Sequence, residues 1–346
     1  MTAALQPYAG PIDSPLYLTS EVDNVLWGRL PCGQDEPLAQ VEPGSTITID
    51  TLSHEGILED QGRDPAAFFG GYGVEEVLAD AKALAASGIQ HRVGIDGPHV
   101  VSRPIEVTGA DVGDVLAIRV VRLLPRVPYG VVSNRHGRGA LPGEYPLDGA
   151  EAVSVFTPVV EGRGVIGPAS FELAPFLGIM GVAVPGDERP HSVPPGPFGG
   201  NLDIRLLTEG STLYLPVQVP GALAYVGDPH FAQGDGEVAL TALEASLRAT
   251  LTLDVIPRED AVSQFGELVG PLAETEEFLI PTGLDPDLDV AVQNAVRAAI
   301  ALLTARFGME PAQAYAYLSA ATDFRISQVV DLVKGAHATI RKADFR

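Results

Sequence analysis

Basic residues and cysteine are scarce in this sequence of 346 residues, and long apolar runs are missing. Lysine and arginine number 22 against 45 aspartates and glutamates, leaving a formal charge of -23. Phosphate backbones and anionic bilayer surfaces are bound by neutralising them with cations. No Lys/Arg run concentrates the few cations present, so neither nucleic acid nor a membrane is an expected partner. The single cysteine, Cys32, excludes an intramolecular disulfide framework and a four-cysteine zinc site, and makes the cytoplasm the expected compartment. Gly, Pro or a charge interrupts every apolar run below bilayer-spanning length, and residues 1–8 hold no basic stretch followed by an apolar one. A soluble protein without a standard secretion signal is expected.

What is present is apolar content of 46%, with 38 Gly and 29 Pro. Val, Ile and Leu recur in almost every segment, which excludes a disordered acidic chain. Glycine and proline at this density favour many short strands joined by tight turns over a helical bundle. One local design occurs three times, a turn glycine, a polar residue and then alternating apolar positions, at residues 44–49, 113–118 and 210–215. Period-two alternation after a turn is the mark of a half-buried strand. Further strands are expected at 103–107, 153–160, 221–226 and 247–256. Helical spacing predicts a helix over 74–86 ending at Gly88. A longer one is predicted over 287–307, with an aspartate cap, Pro286 at its first position and Gly308 as its stop. Another begins at Pro311. The expected fold is mainly β, a multi-stranded sandwich or barrel-like core with a few helices, the longest in the C-terminal third. One domain over 1–346 is expected, with a possible sub-boundary near 185–200 and a helical appendage at about 285–320. Val292, Val296, Ile300 and Leu303 are read as a core-facing helix stripe.

Several chemistries have no motif here. There is no G-x-S-x-G, no Ser-Gly-Gly segment with a nearby lysine, no phosphate loop, and no glycine fingerprint opening a helix after a strand. Cys32 has only Arg29 as a basic neighbour and is poorly placed as a nucleophile. Metal or acid/base chemistry remains. The richest segment is Gly227-Asp228-Pro229-His230-Phe231-Ala232-Gln233-Gly234-Asp235-Gly236-Glu237, read as a loop after a strand, with three carboxylates and an imidazole. A second polar island runs from Asp50 through His54 and Glu55 to Asp64. A third is Asp96-Gly97-Pro98-His99. Separated islands of this kind are how a metal site assembled from several loops looks in sequence, with nitrogen and oxygen donors suited to a borderline divalent cation. Spacing does not divide Asp228, Asp235 and Glu237 between ligand and general base.

At these residues the sequence resembles the acetamidase/formamidase family of amide hydrolases. The 227–237 segment is similar to the family's G-D-x-H-x-x-Q-G-D-G-E signature. Gly199-Gly200-Asn201-Leu202-Asp203 is like G-G-N-x-D, and Gly109 to Asp114 is like G-A-x-x-G-D. Leu318 to Asp323 with Gln328-Val329-Val330-Asp331 resembles the family's carboxyl-terminal motif. The likeness keeps chain order over residues 20 to 340. Two places depart from it: Arg103 stands where H-P-x-T-G-P has glycine, and a Glu59 to Asp64 loop follows Leu-Ser-His-Glu-Gly where the family has a simpler turn.

The resemblance implies a mostly β architecture and metal-dependent hydrolysis of a small linear amide to carboxylate and ammonia. It implies a divalent metal, zinc before calcium, on His99, His230 and Asp228, with His54, Glu55, Asp50 and Asp96 as second-line candidates. Glu237 is the expected general acid/base and Asp235 the alternate. Gly199, Gly200, Asn201 and Gln233 are expected to bind substrate. The expected partners are a small-molecule amide and a second copy of the chain in a homodimer. The alternative readings are cleavage of a cyclic amide or another non-peptide C–N bond on the same scaffold, and a non-catalytic β-rich protein that binds a metal or a small ligand.

Overall fold

Strands dominate the computed structural model, which describes residues 4–345. Among the described residues they form a nine-stranded and a twelve-stranded sheet, so the chain is mainly β as expected. The three repeated segments become strands Ser45–Asp50, Val115–Pro125 and Thr212–Pro216 of the nine-stranded sheet. In each case the preceding turn glycine has positive φ, the conformation that removal of Cβ permits. Strand Leu247–Ile256 lies between the first two, with Leu251 opposite Ile47 and Val120. Inward Leu247, Ala249, Leu251 and Leu253 are buried. A continuous core joins these residues to Leu177, Met180, Val226 and Phe231 of the other sheet.

The strand expected at 221–226 starts later and runs further, as Ala224–Ala232. Asp228 and His230 therefore sit on a strand of the twelve-stranded sheet, and only Gln233 to Glu237 form a loop. Phe176–Val182 pairs beside it, placing Phe176 opposite His230. The 185–200 stretch leaves Phe176–Val182 and returns as its antiparallel neighbour Gly199–Asn201, so it is an excursion from one sheet. It is pinned on the way by bridges from Cys32 to Val184 and from Arg29 to His191.

The helix expected over 74–86 is shorter, Ala79–Ala85, because Val77 and Leu78 are buried in extended backbone ahead of it. Gln6 Oε1 accepts from Ala79 N in place of a side-chain cap. The long helix is Leu288–Phe307. Asp287 caps it, accepting from Asp289 N and Val290 N, so Pro286 lies one residue before the cap and not inside the first turn. Gly308 closes it in the left-handed region. Ala291, Ala295 and Ala299 are buried, and Gly283 on strand Phe278–Asp285 admits the helix so closely that a Cβ there would meet Ala291 O. Leu303 is buried, while Val292, Val296 and Ile300 are half-buried against the same layer. Pro311–Ala321 follows and packs on it.

Candidate functional site

Strand ends of the two sheets converge on one buried polar cluster. His54 follows Ser45–Asp50, His99 precedes the short strand Val100–Ser102, and Asp228 and His230 lie on Ala224–Ala232. Asp203 follows Gly199–Asn201, Glu244 is on the two-residue strand Leu243–Glu244, and Asp331 follows Asp323–Gln328. With Glu237, all are buried. His230 Nε2 lies 3.1 Å from both Asp228 Oδ2 and Glu244 Oε1. His99 Nε2 is 3.9 Å from Asp228 Oδ2, and His54 Nδ1 is 3.7 Å from Asp228 Oδ1.

Backbone conformation shows what holding these groups together demands. Asp203, Asp228 and Glu237 all have φ near +50° (50°, 51° and 47°), a region that side chains rarely adopt and that clusters at functional sites. Gly178, on the neighbouring strand, opens the space they share: a Cβ there would lie 2.5 Å from Asp203 Oδ1 and Asp228 Oδ2 and 2.6 Å from His230 Cε1. Outer contacts then set the rings. Ser192 Oγ is 2.9 Å from His99 Nδ1, which directs Nε2 to Asp228. Glu55 is gripped by Gln61 and by Ser133 Oγ, leaving Oε1 3.4 Å from His54 Nε2. The Glu59 to Asp64 loop thus anchors Glu55 through Gln61. Gln328 Oε1 accepts from Val330 N and Asp331 N, and Gly236 N donates to Ser327 O, stitching the loops of Asp331 and Glu237 together.

Four sets of three donors have atoms within 4.8 Å of one another: His54, His99 and Asp228; Asp203, Asp228 and His230; His230, Glu237 and Glu244; and Asp203, Glu237 and Asp331. Many of their polar atoms are buried without a hydrogen-bond partner, including both nitrogens of His54 and His230, both oxygens of Asp203 and one oxygen each of Asp228, Glu237, Glu244 and Asp331. Buried polar atoms are almost always satisfied, and mixed imidazole and carboxylate donors suit a divalent cation. The residues fit a metal on both counts.

The electrostatics divide the carboxylates. Burial, then neighbouring Asp331 and Glu244, pushes Glu237 well above the usual range, and burial followed by Glu237 does the same to Asp203. Burial raises Asp331 to about 7. Burial also opposes the charge on Asp228, but His230 and His99 overcome it and hold that carboxyl well below the usual range. Against the same opposition, Asp228 and Glu55 push His54 up to about 10, while burial takes His99 down to about 4.

A cavity of about 420 Å³ opens onto this floor, lined among others by His54, His99, Asn201, Asp228, Glu237 and Asp331. His230 and Asp203 lie beneath it. The expected trio of ligands is thus divided: Asp228 joins His99 on the cavity side and His230 below, but no three-donor set contains both histidines.

Other candidates sit elsewhere. Asp235 points away, exposed, and pairs with Arg205 at 3.0 Å and Arg325 at 3.3 Å, because the loop glycines on either side turn it outward from Glu237. Asp50 is locked to Arg248 at 2.6 Å and to Tyr17, on the far side of the strand end. Asp96 is held at the cavity mouth by Arg29 and Arg92. Gln233 donates to Asp203 O and Ser327 O, a bracing role. Gly199 and Gly200 face packed backbone and Phe198, leaving Asn201 as the member of that motif that reaches the cavity. Asp203, Glu244 and Asp331 also belong to the donor sets, without being site candidates on sequence grounds.

The Acetamidase/Formamidase family model matches residues 85–191 and 186–341. An acetamidase of Mycolicibacterium smegmatis is 29% identical over 199 residues, covering 40% of this chain and 49% of that protein. A formamidase of Methylophilus methylotrophus is 34% identical over 162 residues, covering 42% and 39%. The matches span about half the length of the curated relatives or less. The crystal structure of an acetamidase from Bacillus halodurans superposes with a TM-score of 0.75 at 25% identity, covering 95% of this chain and 98% of that one. The family matches, the shared fold and the buried cluster agree: the chain belongs to the acetamidase/formamidase family.

Proposed function

We propose that this protein hydrolyses a small linear amide to a carboxylate and ammonia, using a divalent cation held by the buried cluster, with zinc as the expected ion. The observation that carries the reading is the convergence of unpartnered imidazole and carboxylate atoms on the floor of a single cavity. Asp228 would hold the ion with His54 and His99 on the cavity side, or with His230 and Asp203 beneath. When bound there, a divalent cation supplies Lewis acidity toward a carbonyl and acidifies water.

The protein's own groups do the rest. Asp228 keeps its negative charge because the histidines around it are close and buried. Glu237 faces the cavity with a carboxyl that burial and acidic neighbours keep protonated beyond the ordinary range, so it carries a proton for the leaving nitrogen. Asn201 lines the same wall with its Oδ1 unpartnered, an acceptor for an amide N–H of the substrate. The site side chains themselves are buried, which strengthens each of these interactions.

Ammonia release from formamide, acetamide and short homologues, before and after chelation, tests the reading. Activity that survives thorough metal removal overturns the metal's part in it. Glu237→Gln is expected to lower kcat by about a hundred- to ten-thousand-fold with the fold intact; normal turnover in that variant removes Glu237 from proton transfer.

A further inference from the structure

Acetamide is the size of an asparagine side chain, whereas this cavity of about 420 Å³ falls in the roughly 300–1,000 Å³ range of pockets that enclose much larger ligands. The polar cluster occupies only its floor. Above it Leu58, Val93, Val193, Leu240 and Leu332 line the space between the carboxylates Glu59, Asp60 and Asp96, each of which is already paired with an arginine. Val93 is 69% and Leu332 60% exposed, so the mouth offers hydrocarbon to water where nothing in the fold covers it.

One cation stands on that wall uncommitted. Arg135 lines the cavity too, but Asp60 takes its guanidinium at 2.6 Å. Arg138, one turn on, has no carboxylate within ion-pair distance among the described residues, in a chain where acids outnumber bases two to one. His191 adds a neutral donor to the same lining. Val193 N donates to its Nδ1 at 3.1 Å, which leaves the ring proton on Nε2 as a donor.

We infer that the substrate is an amide carrying an apolar chain that ends in a carboxylate, a monoamide of a short dicarboxylic acid, with Arg138 as the residue that selects the charged end. The inference rests on the amidase reading and narrows its substrate. When ammonia is the leaving group, only the acyl side can carry the chain that fills the apolar zone. A single planar guanidinium beside one neutral donor matches a singly charged carboxylate better than a phosphate dianion, which calls for several cations. The reaction balances with water alone. The C–N bond breaks, the hydroxyl goes to the acyl carbon and the proton to nitrogen, and a dicarboxylate and ammonia leave.

The test compares glutaramate, the monoamide of glutaric acid, with the neutral pentanamide and with acetamide, in wild-type protein and in Arg138→Gln, Arg138→Lys and Arg138→Glu. The wild type is expected to favour glutaramate over pentanamide by about tenfold or more in kcat/KM, carried in KM, as a charge-assisted hydrogen bond provides. That ratio should collapse toward one in Arg138→Gln, recover in part in Arg138→Lys, and fall below one in Arg138→Glu, which should favour the cationic 5-aminopentanamide over pentanamide instead. A wild-type ratio near one, or a ratio that Arg138→Gln leaves unmoved, overturns the inference while acetamide turnover keeps the amidase reading intact. If no amide is hydrolysed, the amidase reading fails by itself. Calorimetry with glutarate then decides the subsite, supported by binding that Arg138→Gln weakens and overturned by binding that is absent or unaffected.

Discussion

Gly178 lies under three site side chains, and its missing methyl is what lets Asp203, Asp228 and His230 share one space. Gly178→Ala is therefore expected to push the carboxylates apart and weaken cation binding by about tenfold or more, while far-UV circular dichroism stays native. Metal content after dialysis against limiting zinc checks it; full retention would show the cradle to be more yielding than the contacts indicate. The same scale explains which residues can be read from sequence. His54, His99, Asp228, His230 and Glu237 stand in short polar islands beside strands, and the structure brings them together. Glu244 is a lone acid among Ala242, Leu243 and Ala245, where the only signal is a charge inside an apolar run. Asp203 and Asp331 stand in motif-like stretches beside Asn201 and Gln328, but neither stretch holds an imidazole or a second carboxylate to mark them as ligands or acids. Asp235 and Asp50 carry the right residue type but meet arginines that spacing cannot foresee.

Among elements, alternation fixes the strands well where turns bound them. The 247–256 expectation matches the strand Leu247–Ile256, and 153–160 matches Ala152–Val160 to within one residue. Polar residues inside a buried strand defeat the same reading. The 227–237 segment looks like a loop because Gly, Asp, Pro and His crowd it, yet burial of the site inside the sheet keeps those residues in Ala224–Ala232. Helix ends are governed by caps. Asp287, and not Asp285, accepts the first free N–H groups of Leu288–Phe307. Asp287→Ala is expected to cost about 1 kcal/mol, seen as a lower denaturant midpoint with an unchanged slope, and Asp285→Ala to cost less. Equal losses from the two would return the capping role to both.

For the whole molecule, the cluster links pH to stability. Asp331 at about 7 and His54 at about 10 both lie above their unfolded values, and Asp203, Glu237 and His230 are also raised. The metal-free native state thus holds more protons than the unfolded chain across this range, so its stability falls as pH rises from about 7 to 9. His99 is neutral in both states there and does not oppose the trend. Thermal melts in chelator should show Tm dropping over that window, and added zinc should release protons and flatten the slope; a slope that rises with pH, or zinc uptake without proton release, contradicts this protonation scheme. The cluster is also dispersed along the chain, from His54 to Asp331. During synthesis Asp331 leaves the ribosome after every other donor, and the Asp323–Gln328 strand that steadies Gly236 emerges just ahead of it. A nascent chain therefore carries an unfinished cluster for most of its elongation, which ties completion of the site to one late event in translation and leaves no earlier fragment able to form it.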